Sequence, residues 1–313
     1  MIIYHDLRRA PMFKPYFEAS GVPHANHFRN KWIMLLCRIL SKHTRFMRKI
    51  PMERIYSDPV LAPDDDKIIV FDTHARDRYI NWLCLRHPDK RIILWFWNPI
   101  KEVDRFAHLK ERVECWSYCK RDARAHGTYC NTQFYFDCLA KEAESCPPPP
   151  ADRPPKALFV GRDKGRGGKL EQLKNALTEA GVECDFRILK PPRIQRFASL
   201  FEKLIPYREV VDAVKQSQIL IDYYTDTTAG LSLRAMEALF FGKKLITNRP
   251  LMRSEDFYDS RNIYILDQEE RTLAEFLAEP CVPVDPEIRD RYLLSNWLKR
   301  FGEERPTDVR TLH

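Results

Sequence analysis

Two features that often reveal a function are missing from this 313-residue chain: a glycine-patterned nucleotide motif and an apolar run long enough to cross a membrane. No stretch approaches the ~20 uncharged apolar residues of a membrane span. The N-terminal MIIYHDLRRA also has too short an apolar segment for a secretory signal. Neither a GxGxxG sequence nor a Walker loop occurs. We therefore expect a cytoplasmic protein.

Cysteine pairs at metal-binding spacing are also missing. The nine cysteines are an odd number without a CxxC pair, which argues against a disulfide framework and against the common zinc modules. Cys115 and Cys119 with His126 and Cys130 come nearest to a ligand pattern, but their spacings match no common module. The three aspartates at 64–66 precede an apolar run and are interpreted as a solvated turn. We expect free thiols and no bound metal or cofactor.

Positive charge is concentrated at the beginning of the chain. The net charge is +8, and residues 1–50 hold ten Lys/Arg against two Asp/Glu. Within them, residues 31–50 place apolar and basic side chains at roughly helical spacing, which is typical of a helix lying on an anionic membrane surface. The alternative is a core helix with a solvated basic face. No recognition motif accompanies the charge, so we expect no nucleic-acid partner.

The proline-rich CPPPPADRPP divides the chain, because six prolines in ten residues favour an extended connector. We predict an N-terminal domain at 1–146, a linker at 147–155, a second domain at 156–285, and a C-terminal helix and tail at 286–313 that packs back on the first domain.

Apolar runs alternate with helix-like segments in both halves. The runs that we predict as strands are MIIYHD, KIIVFDTHA and RIILWFWNP in the first half, and KALFVG, CDFRIL, QILIDYY, KKLIT and NIYIL in the second. The helices predicted between the later strands are KLEQLKNALTEAG, YREVVDAVKQ and LSLRAMEALFFG. This alternation predicts an α/β fold with two Rossmann-like domains, whose parallel sheets face a cleft.

Two helix starts in the second half have the composition of phosphate sites. In the first, a strand runs into Gly161, then a loop with the basic residues Arg162, Lys164, Arg166 and Lys169, and then a helix. Glycine lets backbone N–H groups approach a ligand closely, and both the helix N-terminus and the basic side chains favour an anion. The alternative is a solvated basic loop.

The second helix start follows the strand QILIDYY. Thr227 or Thr228 can cap a helix that begins after Gly230, and its first N–H groups form a second anion site. Glu237 lies further along this helix, where a carboxylate could accept two hydroxyl hydrogens from a ribose. The alternative for Glu237 is a surface ion pair with Arg234, three residues earlier. Leu231 and Ser232 complete the candidate donor-binding set.

These two segments resemble the donor-binding domain of GT-B glycosyltransferases. FVGRDKGRGGKL is similar to the "VGR…KG" strand and loop of that family, and GLSLRAMEALFFGKKLIT to its "FGLP…EA…GxPVI" helix. The resemblance covers about residues 156–266. It implies that Arg162 and Lys169 contact the donor diphosphate, that backbone N–H groups at Gly230 and Leu231 hold phosphate, and that Glu237 holds the nucleotide ribose, without a metal.

The sequence departs from this family at one position. Retaining members carry a second glutamate eight residues before the ribose-binding one, and here that position is Ala229. The family's donor-sugar contacts therefore cannot be transferred, and the choice between inversion and retention stays open. An inverting enzyme needs a base for the acceptor hydroxyl. Asp72, His74 and Asp6 follow apolar runs of the first half and are the candidates, against the alternative that each caps or ends a loop.

The resemblance implies a hexosyltransferase-like enzyme, peripheral to the inner face of the cytoplasmic membrane. It would move a sugar from a nucleotide sugar to a lipid-linked or glycan acceptor, such as growing lipopolysaccharide or capsule. Two alternatives stay open at this point. One is a sugar-nucleotide epimerase of the same fold, and the other is a non-catalytic protein that binds a nucleotide sugar or serves as a scaffold.

Overall fold

The computed structural model describes residues 2–4, 11–39, 50–72, 77–100, 112–147, 153–189, 205–225, 230–267 and 271–302. The chain divides into two compact units, one comprising Met1–Thr132 with Phe301–His313 and the other Gln133–Arg300. Each unit contains a five-stranded sheet whose described strand pairs are parallel. The predicted α/β class with parallel sheets is confirmed, and each unit is compatible with a Rossmann-like domain.

The strands of the first unit follow one another across the sheet in chain order. They are β1 (Ile2–Tyr4), β2 (Lys67–Phe71), β3 (Arg91–Phe96), β4 (Val113–Ser117) and β5 (Tyr129–Cys130). The described helices are α1 (Lys14–Ala19), α2 (Lys31–Ile39), α3 (Met52–Ile55), α4 (Asp77–Arg86) and α5 (Lys120–His126).

The core of the first unit lies on both faces of its sheet. Alternate residues of β2 and β3, such as Ile68 and Leu94, pack with Tyr79, Ile80 and Leu83 of α4. The residues between them on the same strands are buried as well. Continuous apolar strands covered on both faces are the pattern expected of a parallel sheet.

Strand β4 was not predicted, because its second residue, Glu114, is charged. The structure buries this carboxylate beside Arg91 of β3, whose Nε and Nη2 atoms donate hydrogen bonds of 2.8 and 2.9 Å to its two oxygens. The same guanidinium donates to the Phe301 and Gly302 carbonyls. The Phe301 ring packs edge-on against Trp95 and Trp116, so this part of the predicted C-terminal tail belongs to the first unit.

The second unit has the sheet order β10-β9-β8-β6-β7. Its strands are β6 (Lys156–Arg162), β7 (Glu183–Leu189), β8 (Ile219–Asp222), β9 (Lys244–Thr247) and β10 (Ile263–Ile265). The described helices are α6 (Asp137–Glu144), α7 (Gly167–Glu179), α8 (Tyr207–Lys215), α9 (Leu233–Phe240), α10 (Leu273–Ala278), α11 (Pro286–Asp290) and α12 (Leu294–Lys299). All five strands and the three helices predicted for residues 156–266 are present.

The boundary between the units lies ahead of the proline-rich segment that was predicted as the linker. Helix α6 contacts α9 and so belongs to the second unit. The N–H of Tyr135 donates to the Tyr292 carbonyl at 2.7 Å, and the N–H of Leu294 donates to the Tyr135 carbonyl at 2.8 Å. These bonds attach the segment before α6 to α11 and α12, so residues 133–147 and 286–300 lie with the second sheet.

Helix α2 is the described part of the basic amphipathic segment, and residues 40–49 lie outside the described residues. Ile33, Met34 and Cys37 pack against the core of the first unit. Trp32 and Leu36, on another face of the helix, are 68% and 49% exposed. The helix therefore has a docked face, as the core alternative requires, and an exposed apolar face. None of the described helices is long and apolar enough to cross a membrane.

Candidate functional site

The second sheet contains a topological switch point. Its first strand, β6, lies between β7 on one side and β8 on the other. The chain passes from β6 to β7 in one direction and later continues from β8 to β10 in the opposite direction, so the strand order reverses between β6 and β8. Helices that leave neighbouring strands toward opposite faces open a crevice at the strands' carboxyl ends, where ligands of open α/β sheets bind. In the first unit, strand order equals chain order, so the described strands contain no such reversal.

A pocket of about 250 Å³ lies at this switch point. Its walls include Phe159 and Val160 from the middle and carboxyl-terminal half of β6, and Ile221 and Asp222 from the end of β8. The rest comes from the loop after β6, the residues after β8 and the start of α9. The volume is below the ~300–1,000 Å³ of drug-sized ligand sites, so it suits a small ligand or one part of a larger one.

The lining favours an anion with a flat ring. Three basic side chains border the pocket, those of Lys164, Arg166 and Arg234, against one carboxylate, that of Asp222. The aromatic residues of the lining are Phe159, Tyr223 and Tyr224. Basic side chains form charge-assisted bonds with phosphate, and aromatic side chains provide faces for stacking.

The loop after β6 reaches the pocket through a tight turn. Lys164 and Gly165 both have positive φ, 47° and 80°, and the Arg166 N–H donates to the Asp163 carbonyl at 3.0 Å. Two central residues with positive φ define a type I′ turn, in which glycine is favourable and lysine is strained. The turn places Lys164 and Arg166 on the same wall of the pocket.

Arg166 ties this loop to the end of β8. Its guanidinium donates to the carbonyls of Arg162 and Tyr223 and lies 4.9 Å from the Phe159 ring centroid. A Cβ atom on Gly161 would stand 2.7 Å from its Nη2 atom, so a glycine at 161 leaves room for this guanidinium. Burial lowers the pKa of Arg166, against the opposing effect of Asp222.

At the N-terminus of α7, the predicted phosphate position is partly filled by the chain itself. The Asp163 carboxylate accepts a hydrogen bond of 2.7 Å from the Gly167 N–H, one of the N–H groups without an intrahelical partner. Arg162 and Lys169 are exposed and are not among the residues that line the pocket. Of the basic residues predicted around this loop, Lys164 and Arg166 are the ones that border the pocket.

The start of α9 differs from the predicted one. The helix begins at Leu233, and its N-cap is Ser232, whose hydroxyl accepts a hydrogen bond of 3.0 Å from the Ala235 N–H. Gly230 and Leu231 precede the cap and are buried. Thr227 and Thr228, predicted as caps, lie outside the described residues. Ser232 lines the pocket, so the helix start contributes to the site through this residue and the two that follow it.

Glu237 is buried on α9, with its side chain 1% exposed. One carboxylate oxygen, Oε1, accepts a hydrogen bond of 2.8 Å from the Tyr207 hydroxyl. The other, Oε2, accepts one from Arg234. The ion pair with Arg234 that the sequence offered as an alternative is therefore present, but it is buried rather than on the surface. Burial raises the pKa of Glu237, against the opposing effects of Arg234 and Tyr207.

Asp222, at the end of β8, is a second buried carboxylate at this site. Its nearest described cation is Arg249, whose Nη1 atom is 3.4 Å from Oδ2, and the guanidinium of Arg249 lies 5.0 Å from the Tyr224 ring centroid. Burial raises the pKa of Asp222, while Arg249, the Ser232 hydroxyl and Arg234 act in the opposite direction. The carboxylate thus balances part of the positive charge around the pocket.

Of the candidate bases in the first unit, Asp72 follows β2 directly, and its Oδ1 atom accepts a hydrogen bond of 2.9 Å from the Trp97 N–H. It therefore joins the ends of β2 and β3 and is half-buried. His74 and Asp6 lie outside the described residues. Among the described residues, no group of three or more His, Cys, Asp and Glu side chains is arranged to hold a metal ion.

Sequence reasoning named Arg166 among the basic residues of the loop after β6, but it missed the roles of Arg234 and the two tyrosines after β8 in lining the pocket. Tyr223 and Tyr224 follow the apolar part of β8, where side chains of a strand's carboxyl end reach a ligand crevice. That signal was available in the sequence. Which of the basic loop residues reach the pocket could not be predicted, because it depends on the turn at Lys164 and Gly165.

No protein-family model matches the chain, and no curated protein matches it. The function is therefore argued from the residues and geometry of the pocket.

Proposed function

We propose that this chain is a glycosyltransferase of GT-B type that binds a nucleotide sugar in the switch-point pocket of its second unit. The observation that carries this proposal is the position of the pocket at the carboxyl ends of β6 and β8, with Lys164, Arg166 and Arg234 around it. A nucleoside diphosphate combines the negative charge and the flat ring that this lining favours. The resemblance of FVGRDKGRGGKL and GLSLRAMEALFFGKKLIT to the GT-B donor domain supports the same ligand.

In the proposed reaction, an acceptor hydroxyl attacks the anomeric carbon of the donor sugar while the bond to the diphosphate breaks. Basic side chains around the pocket stabilise the negative charge that develops on the leaving diphosphate. A base takes the proton of the acceptor hydroxyl, and Asp72, His74 and Asp6 remain its predicted candidates. The diphosphate is stabilised in this scheme by protein groups, so no metal is required.

The acceptor that we propose is a growing surface glycan, lipid-linked at the inner face of the cytoplasmic membrane. This part rests on the family resemblance and on the exposed apolar face of α2 in the basic N-terminal segment. Lipopolysaccharide or capsule is the glycan class that the resemblance favours.

A thermal-shift panel tests the donor site. UDP, GDP, CMP, dTDP and their common sugars are added to the wild type and to Lys164→Ala. A ligand at ~100 times its Kd adds about 2.7 kcal/mol to the free energy of unfolding, or a shift of a few degrees. We expect a shift with one nucleotide class that shrinks in the variant. No shift with any nucleotide at millimolar concentration would contradict the proposal.

A turnover assay then separates the proposed enzyme from its alternatives. The sugar nucleotide identified by the panel is incubated with the protein, with and without a lipid-linked glycan extract, and consumption is followed by chromatography. A glycosyltransferase consumes donor faster with the extract and forms nucleotide and glycan product together. Conversion without any acceptor would indicate an epimerase, and tight binding without conversion would indicate a non-catalytic protein.

A further inference from the structure

Arg234 is held from one side and borders the pocket on the other. Its Nη1 atom donates to Glu237 Oε2, while the side chain, 12% exposed, lines the pocket. An arginine carries five N–H donors in a rigid planar fork, so an ion pair along one edge does not exhaust its donors. An arginine fixed in this way is well suited to bind phosphate oxygens.

Glu237, by contrast, has little contact with the pocket. Its side chain is 1% exposed, and it is not among the residues that line the pocket. One carboxylate oxygen accepts a hydrogen bond from Tyr207 and the other accepts one from Arg234. A buried carboxylate is costly unless its partners compensate for lost hydration. The arrangement resembles that of a group that orients a ligand-binding residue from behind.

We propose that Arg234 binds the phosphate oxygens of the ligand in this pocket, and that Glu237 and Tyr207 are positioning residues that hold its guanidinium without touching the ligand. This inference rests on the proposed function in taking the pocket as the donor site. It differs from the GT-B resemblance, in which the glutamate matched by Glu237 holds the ribose. A phosphate ligand without a ribose separates the two roles.

The probe is inorganic pyrophosphate, with UDP and GDP measured in parallel by calorimetry on the full-length chain. Arg234→Met removes the cation, and we expect pyrophosphate affinity to fall about tenfold or more, as for a lost charge-assisted bond. Arg234→Lys keeps the charge without the fork and should lose part of the affinity. Glu237→Gln and Tyr207→Phe should each weaken pyrophosphate binding severalfold. Glu237→Gln combined with Arg234→Met should lose no more affinity than Arg234→Met alone, because the glutamate acts through the arginine.

Matched controls come from another ion pair of the same unit. Glu142 of α6 pairs with Arg208 and Lys215 of α8, and none of the three lines the pocket. Glu142→Gln and Arg208→Met change charge as the test variants do, and we expect unchanged affinity for pyrophosphate. Thermal unfolding of each variant shows whether it is folded, and Tyr207→Phe provides the mildest change if Arg234→Met does not fold.

Three outcomes would overturn the assignment. One is wild-type protein that fails to bind pyrophosphate, and another is unchanged pyrophosphate affinity in both Arg234 variants. The third is a Glu237→Gln variant that keeps pyrophosphate affinity but loses UDP or GDP affinity, since the carboxylate would then contact the nucleoside. If pyrophosphate binds as expected and no nucleotide binds more tightly, the assignment of Arg234 stands and the nucleotide-sugar function fails.

Discussion

At residue scale, Gly161 lies where an added carbon would meet two groups of the pocket wall. A Cβ atom there would stand 2.7 Å from Arg166 Nη2 and 3.2 Å from Phe159 Cζ. The guanidinium cannot move away without losing its bonds to the Arg162 and Tyr223 carbonyls. Gly161→Ala should therefore lower the free energy of unfolding by about 1 kcal/mol or more and weaken pyrophosphate binding.

Gly168, in the first turn of α7, provides the control. A Cβ atom at this position has nothing within 4 Å, so Gly168→Ala should raise the free energy of unfolding by up to about 1 kcal/mol through helix propensity. Urea denaturation of both variants measures the difference. Equal stability of the two alanine variants would show that Gly161 is not crowded.

Two glutamates of the second unit should make contributions to stability that change with pH in opposite directions. Burial raises the pKa of Glu237 above its ordinary value of 4.5. Its contribution to stability is therefore full below that value and is lost as pH rises through the raised pKa. For Glu142, burial acts to raise the pKa, but hydrogen bonds from Arg208 and Lys215 outweigh it and lower the pKa. Its contribution is full above 4.5 and is lost as pH falls through the lowered pKa.

Urea denaturation between about pH 3 and pH 8 tests this pair. The stability of the wild type relative to Glu237→Gln should decrease as pH rises, and its stability relative to Glu142→Gln should increase. Each variant serves as the other's control, because both exchange a glutamate of the second unit for its uncharged amide. Two slopes of the same sign would contradict the expected environment of one of these carboxylates.

At the scale of elements, the N-cap of α9 joins helix stability to the pocket. Ser232 caps the helix through the Ala235 N–H and also lines the pocket beside Asp222. Ser232→Ala should cost about 1 kcal/mol of stability and should weaken pyrophosphate binding, because the cap fixes the turn that carries Arg234.

The cap of α10 is the matched control for Ser232. Thr272 accepts a hydrogen bond from the Glu275 N–H in a capping box, and it does not line the pocket. Thr272→Ala should lower stability to a similar extent without changing pyrophosphate affinity. Denaturation and calorimetry on both variants separate the two effects. An equal loss of binding in both would mean that affinity follows stability rather than the position of the cap.

The strands of the second unit could be predicted from the sequence because each is a short, continuous apolar run, as buried parallel strands are. Strand β4 could not be predicted in this way, since the burial of its Glu114 depends on an ion pair with Arg91 from a neighbouring strand. The pocket borders the strand and helix ends around Gly161 and Ser232 that the sequence indicated, and their role in binding a donor remains a prediction. Its side chains were assigned less well, because the turn at Lys164 and the burial of Glu237 are properties of the folded chain.

At the scale of the whole molecule, composition was a poor guide to the unit boundary. The prolines at 147–150 mark where the chain cannot be helical, but they do not determine which sheet the preceding residues join. That is decided by backbone bonds between Tyr135 and residues 292–294, which link segments far apart in the sequence. No local sequence pattern predicts such hydrogen bonds between distant segments.

The exposed apolar face of α2 leads us to predict that the whole protein binds to a membrane surface. Trp32 and Leu36 are exposed four residues apart, so they share one face, and Lys31 Nζ lies 5.3 Å from the Trp32 ring centroid. Apolar side chains inserted at the lipid boundary and cations near anionic headgroups would act together there. We expect the protein to sediment with phosphatidylglycerol-rich vesicles at low salt and to be released as salt screens the charges.

Trp32→Ser combined with Leu36→Ser should lower vesicle affinity by at least about tenfold, since burial of each of these side chains contributes roughly 1.5 kcal/mol or more. Val60 and Leu85 are the controls, because they are 91% and 65% exposed in the same unit, outside α2. Their serine double variant should sediment like the wild type. If both double variants sediment equally, or if binding is insensitive to salt, then α2 does not form the membrane-binding surface. The proposal of a lipid-linked acceptor would then lose its support from the structure, while the proposed donor site in the second unit would remain to be tested on its own.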